Sequence, residues 1–328
     1  MSDVAVIGGG VVGAAVTLAL ARRGISTILY EARDRLAGAA SGTNSGILHT
    51  GFDSPPGELE TRLILRAAQL REPVMDALGV PVRRCGAVVR GVEAANGVAA
   101  RRRADGALEI PGEAITDPVR FTRALAAAAQ ACGAEVRTGV RVTERLPMLT
   151  VNCAGLYADE VAHVYGDDSF EIYPRKGEFF VFDGIALDRI LLPTPTRRTK
   201  GILVFPTLDG KVVAGPTAVD QTDKEDWSVR PPALDEVRAK AAALLPAIAD
   251  AEPIGSWAGL RTAGRGVNYL IRRAAPNLIN VAAIRSTGLT ASLGIAEYVA
   301  EMIVPGVPER PLPQVSVPVP EEPWWHRS

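Results

Sequence analysis

The chain begins with a continuous apolar run, Asp3 to Ile7 (DVAVI), the β-branched pattern of a strand buried on both faces. Three glycines, Gly8 to Gly10, interrupt it. VVGAAVTLALARR then reads as a helix of small and apolar residues, ended by Gly24. Ser26 to Tyr30 (STILY) predicts a second strand, so the opening segment is a β-α-β unit. Later, Asp117 followed by Pro118 marks a capped helix start. An Ala-rich helix runs from there to about Cys132, where Gly133 ends it, and Glu135 to Val140 returns as a strand. Strand patterns over Phe170 to Asp183, Ile202 to Pro206 and Lys211 to Gly215 predict a second sheet, with a helix near Pro232 to Leu245 packed on it.

Composition narrows the field. The chain has 328 residues, 47% of them hydrophobic, enough for a packed core and more than one subdomain. Lys+Arg is 36 and Asp+Glu is 37, a net charge of −1, so neither nucleic-acid binding nor a polybasic membrane anchor is expected. Cys85, Cys132 and Cys153 have no redox or zinc spacing, and no metal is expected. They read as small apolar thiols in a reducing compartment. The apolar run Val11 to Ala21 is followed, not preceded, by Arg22 and Arg23, unlike a signal peptide. It is also far shorter than the roughly 20 residues of a transmembrane helix. These features predict a cytoplasmic protein without a transmembrane segment, peripheral attachment to a membrane being left open.

The chemistry starts at Gly8-Gly9-Gly10-Val11-Val12-Gly13, a GxGxxG run between strand and helix. Gly8 permits the tight turn, Gly10 lets backbone approach a pyrophosphate, and Gly13 lets helix pack on strand. The helix N-terminus offers free N–H groups to phosphates. Glu31 closes the second strand 18 residues after Gly13, where a carboxylate accepts hydrogen bonds from a ribose hydroxyl and disfavours a 2′-phosphate. A dinucleotide other than NADP follows, with NAD and FAD both open at this point.

The next segment decides between them. Residues 38 to 53 read GAASGTNSGILHTGFD, a glycine-rich polar loop that turns inward at Ile47, Leu48 and His49. Together with VNCAGLYADEVAHVYG, YPRKGEFFVFD, KGILVFPTLDGKVVAGPTA, WAGLRTA and NLINVAAIRSTGLTASLGIAEYV, this segment resembles the FAD-dependent oxidoreductases of the D-amino-acid oxidase type. Within them the chain is most similar to the branch of glycerol-3-phosphate dehydrogenases and L-2-hydroxyglutarate oxidases. The matches run in order over nearly the whole chain.

The resemblance implies an α/β fold (α+β overall), a Rossmann-like FAD-binding domain with an inserted mixed and antiparallel substrate sheet. Residues 1–73, 112–167 and 276–318 are expected in the FAD-binding domain, 74–111 and 168–275 in the substrate domain, and 319–328 in a proline-rich, non-helical tail. A meander usual between the strands near Val142 and Val151 is expected to be nearly absent, as is part of the segment from Asn96 to Ile115. The resemblance places Gly8, Gly10, Val12 and Gly13 at the FAD pyrophosphate, and Glu31 with Ala32 at the adenosine. Thr43, Asn44 and Ser45 would lead toward the flavin, the amide of Val140 would meet the adenine, and Ala154 and Gly155 would pass close to the dinucleotide. Gly288, Leu289 and Thr290 would present a helix N-terminus to the pyrimidine edge of the flavin.

For the substrate, His49 is the expected catalytic base, a neutral imidazole with a pKa of about 6.5 being suited to taking an alcohol proton. Arg261 is the expected anion-binding guanidinium. Thr50 and Lys200 are further substrate candidates, and Arg175 is a weaker one. Arg101 to Arg103 reads as a solvated turn, and Trp324 and Trp325 close a tail that reads as extended or disordered, with a contact for a partner or second copy as the alternative. The implied reaction is oxidation of a small anionic 2-hydroxy compound, glycerol 3-phosphate or a 2-hydroxy acid, by hydride transfer to flavin N5. The electron acceptor, whether oxygen, quinone or protein, is open. The alternatives are amine or amino-acid oxidation, and an electron-transfer subunit without its own substrate.

Overall fold

The computed structural model describes residues 3–194, 201–318 and 322–326. Its first sheet has six strands in the order Leu270–Ala275, Leu278–Ala282, Leu149–Asn152, Val4–Ile7, Thr27–Tyr30 and Glu135–Arg137. All neighbours are parallel except the first pair, an antiparallel edge hairpin. The period of two along Val4–Ile7 assigns its faces. Val4 and Val6 join the core under the helices Val11–Arg22, Leu59–Ala77, Pro118–Ala131 and Gly288–Ile303, while Ile7 packs with Val161 and Tyr165 on the opposite face. The parallel arrangement follows from helical crossovers over a sheet buried on both sides.

The second sheet has nine strands and centres on Ile172–Phe182, paired antiparallel with Pro253–Gly264 along nearly its full length. A small third sheet joins Ile47–Leu48, Ala114–Thr116 and Val82–Arg83. It brings the residues after the glycine-rich loop against the segment that precedes the Pro118–Ala131 helix. That helix is capped as its sequence predicts, the Asp117 carboxylate accepting from Val119 and Arg120 N–H, both at 2.9 Å. The expected short link before Leu149 holds: one strand ends at Arg137 and the next starts at Leu149.

Four expectations shift. Leu270–Ala275 pairs with Leu278–Ala282, so the first sheet starts before residue 276. The helix Leu59–Ala77 continues through the division expected at residue 73, with Pro73 inside it. The strand expected over Glu135 to Val140 ends at Arg137. Arg101–Arg102 is a short exposed strand, with Arg101 paired to Glu109, rather than a turn.

The proline-rich tail also departs from its expectation. Trp324–His326 forms a short 3₁₀ turn, and both tryptophans are buried in the chain's own core at 4% and 9% exposure. Prolines exclude an α-helix but not a single turn that follows Pro323.

Replacing Asp117 by Ala removes the cap from a buried helix start. A loss of about 1 kcal/mol of stability is expected, read as a lowered urea midpoint at unchanged slope.

Candidate active site

A cavity of about 790 Å³ opens between the two main sheets. Its floor begins at the glycine turn. Gly8 sits at φ +112°, and a Cβ there would lie 2.3 Å from the Cys153 carbonyl oxygen. A Cβ on Gly13 would lie 1.9 Å from the Gly8 carbonyl oxygen, so helix and strand meet only if both are glycine. The Gly9 amide donates to Glu31 Oε2 at 2.6 Å and the Arg33 amide to Oε1 at 2.7 Å. Glu31 thus fixes the turn and keeps remaining lone pairs for hydroxyl donors. The Val11 amide donates to Ser41 Oγ at 2.9 Å, and Ser41 fills the space that a side chain at Gly10 would need. The Val12 and Gly13 amides are left without an acceptor among the described residues.

Gly8, Gly10, Val12, Glu31, Ala32, Thr43, Asn44, Ser45, Ala154, Gly155, Gly288 and Leu289 all line this cavity. Asn44 holds its turn, accepting from Gly46 N–H at 2.7 Å and donating to the Ser41 carbonyl at 3.0 Å. The helix Gly288–Ile303 points its N-terminus at the cavity, and its first internal bond is that of the Ala291 amide to the Thr287 carbonyl. Gly288, Leu289 and Thr290 amides therefore precede the hydrogen-bonded ladder and carry its partial positive charge.

Three expected contacts fall differently. Val140 lines the cavity, but its amide donates to the Glu31 carbonyl at 2.9 Å and is not available to an adenine. Thr290 turns its hydroxyl away, accepting from the His49 amide at 3.1 Å and bonding the Ile47 carbonyl. Thr50 is buried, and its amide and hydroxyl are both spent on Glu113 Oε1, at 2.7 and 2.8 Å. It positions Glu113 and does not line the cavity. Lys200 lies outside the described residues.

His49 lines the cavity with its side chain 16% exposed, and its Nδ1 is 2.9 Å from Glu113 Oε2. Glu113 is wholly buried. Burial raises its pKa, but the charge and hydrogen bond of His49 and the donors of Thr50 outweigh this and hold it below the usual carboxylate range. The charge that lowers Glu113 is that of the protonated ring; when His49 is neutral, the ionised Glu113 accepts from Nδ1–H and fixes the tautomer that presents an Nε2 lone pair. Buried Arg71 steadies the same segment, donating to the His49 carbonyl at 3.1 Å.

Across the cavity, Arg261 stands opposite Arg175 in the strand pair. Its Nη2 donates to the Thr217 carbonyl at 2.8 Å. A Cβ on Gly177 would lie 2.5 Å from that nitrogen, so the glycine makes room for the guanidinium. Arg175 is neutralised by Asp220 at 2.5 Å, whereas no carboxylate of the described residues lies within 4.0 Å of Arg261. Burial, with repulsion from Arg175 and Arg285, pushes the Arg261 pKa down to about 10 despite Asp220. Arg285 lines the cavity beside it. A half-buried cation short of a carboxylate partner is a site for an anion.

Sequence reasoning missed Glu113, Ser41 and Arg285 as site residues. Glu113 stands alone between Gly112 and Ala114, where no spacing marks it. Its partner His49 is 64 positions away and meets it only through the small third sheet. Among the described residues no cluster of His, Cys, Asp or Glu could hold a metal, and no helix is long and apolar enough to cross a membrane.

Residues 3–302 match the family described as FAD dependent oxidoreductase (DAO). The chain is 28% identical to the glycerol 3-phosphate dehydrogenase of Caloramator mitchellensis, over 92% of this chain and 74% of that protein. It is 24% identical to the mitochondrial L-2-hydroxyglutarate dehydrogenase of Nematostella vectensis, over 69% and 64%. The dithionite-reduced L-alpha-glycerophosphate oxidase of Mycoplasma pneumoniae, solved with FAD bound, superposes with a TM-score of 0.84 at 25% identity, covering 94% of this chain and 96% of that one.

The depressed Glu113 pKa fixes the sign of one pH effect. Its stabilisation is complete above the unfolded value of about 4.5 and is lost as pH falls through the lower folded value. The unfolding temperature should therefore drop on acidification below about 4.5, and the Glu113→Gln variant should start lower and show a flatter acid limb. Parallel melting curves of the two proteins across pH 3 to 7 check this.

Proposed function

The chain belongs to the FAD-dependent oxidoreductase family of the D-amino-acid oxidase type, and from that premise we propose that it oxidises the secondary alcohol of a small anionic 2-hydroxy compound, with glycerol 3-phosphate first and a 2-hydroxy acid second. The observation that carries this reading is the pairing, across one cavity, of the Glu113-anchored His49 with the partner-poor Arg261. An alcohol gives up an O–H proton as its carbon is oxidised, and a positioned neutral imidazole is suited to take it.

The residues present fit the cofactor. Two side-chain-free positions, Gly8 and Gly13, form a turn that a Cβ would fill, and the amide of Val12, which lines the cavity, suits a pyrophosphate, whereas Gly13 packs helix on strand and does not line the cavity. Glu31 suits the ribose, and the helix N-terminus at Gly288 and Leu289 suits the electron-rich pyrimidine edge. When bound, FAD supplies the hydride acceptor. The chain's own work is then threefold. His49 Nε2 takes the hydroxyl proton while Glu113 holds Nδ1–H and stabilises the resulting imidazolium. Arg261, with Arg285 beside it, binds the phosphate or carboxylate. Phe179 and Leu203 give the cavity apolar wall that limits water.

Anaerobic mixing of the flavin-loaded protein with L-glycerol 3-phosphate, L-2-hydroxyglutarate or glycine tests the reading. One of the two hydroxy anions should bleach the visible flavin band. Bleaching by glycine alone, or by none, overturns it. His49→Ala should keep FAD and slow reduction by about 10²- to 10⁴-fold. Arg261→Ala should weaken substrate binding by about 10- to 100-fold with a smaller effect on the saturated rate.

A further inference from the structure

The family match ends at residue 302, yet a residue well beyond it completes the wall behind the cavity. Trp324 is 4% exposed and meets the Trp257 ring edge to face, with centroids 5.2 Å apart at 84°. Trp257 in turn stacks on Phe179 at 4.7 Å and 11°, and Phe179 lines the cavity. The Trp257 indole Nε1–H donates to the Thr43 carbonyl at 2.9 Å, a buried bond. Trp324 also backs the turn that follows. Gly46 sits at φ +72°, and a Cβ there would lie 3.5 Å from the Trp324 ring. The tail thus touches both supports of the segment Thr43 to Gly46, which carries cavity-lining Thr43, Asn44 and Ser45.

The geometry of this ladder leads us to propose that Trp324 is a positioning residue for FAD: docked, it fixes Trp257, and Trp257 fixes the Thr43 carbonyl and so the loop that faces the cofactor. A rigid loop of defined geometry costs less ordering on binding than a free one. Trp325 secures the dock from the other side, its Nε1–H reaching Asp209 at 3.2 Å and its ring lying against Gly255. The inference needs FAD in this cavity but not any particular substrate. The absorbance of the wild-type holoenzyme checks the first condition separately.

The test compares full-length wild type with Trp324→Ala, Trp324→Phe and Trp257→Phe. The readouts are the FAD dissociation constant, the visible circular dichroism of bound flavin and the melting temperature. Loss of one aromatic edge contact corresponds to about tenfold weaker FAD binding. Trp324→Ala should show that loss together with an altered flavin dichroism, and Trp324→Phe should restore most of both. A lowered melting temperature with wild-type FAD affinity and dichroism overturns the proposal, because the tail would then only plug the core. If Trp324→Ala does not fold, Trp257→Phe decides. It keeps an aromatic ring at the position but removes the pyrrole half of the indole, and with it the N–H donated to Thr43, so unchanged affinity and dichroism there overturn the proposal equally.

Discussion

The site rests on one strand pairing. Ile172–Phe182 and Pro253–Gly264 run antiparallel in register, and three successive cross-strand pairs on one face build the cavity wall: Arg175 with Arg261, Gly177 with Gly259, Phe179 with Trp257. The period of two makes this possible, because residues two apart share a face. The order gives a cationic end, a gap without side chains and an aromatic end within one short stretch. The glycines are filled space, not slack. The Gly177 position is taken by the Arg261 guanidinium, and the Gly259 position by the Thr43 carbonyl. A slip of one residue would turn Lys176 and Glu178 to the cavity instead. Those two are buried on the opposite face and held there by their own pairs, Lys176 to Asp226 at 2.7 Å and Glu178 to Arg230.

The β-α-β unit was legible because its chemistry is local: strand, glycine turn, helix and terminal acid lie within 31 residues, and each is dictated by its neighbours. The helix at Asp117-Pro118 was legible for the same reason. His49 and Arg261 were reached by resemblance, since each is an isolated residue in sequence. Glu113 was not reached, because what makes it part of the site is a long-range pairing between Ile47–Leu48 and Ala114–Thr116. The misplaced contacts share a physical cause. The polar groups expected of Val140 and Thr50 satisfy protein partners first, whereas the Thr290 amide keeps its expected place at the helix N-terminus and only its hydroxyl is engaged elsewhere. A buried donor or acceptor cannot be left idle for a ligand without cost.

The tail taught a related lesson. Proline density correctly argued against an α-helix, and two adjacent tryptophans suggested a surface for another molecule. Their indoles bury more area inside the chain's own core than a two-residue motif discloses, with Trp324 and Trp325 joining Phe179, Phe205 and Trp257 in one cluster. Composition says that such rings seek burial; only the fold says where.

The Arg175–Arg261 rung has a further consequence. Two cations placed directly opposite across a sheet repel, and here only one of them has a carboxylate. Burial first, and then the like charges of Arg175 and Arg285, lower the basicity of Arg261. On the proposed function, an anion bound there would relieve that repulsion, so that recognition and stability would draw on the same free energy. The rung would then act as an electrostatic spring, relaxed further by an anion of higher charge, so that charge would be read before shape.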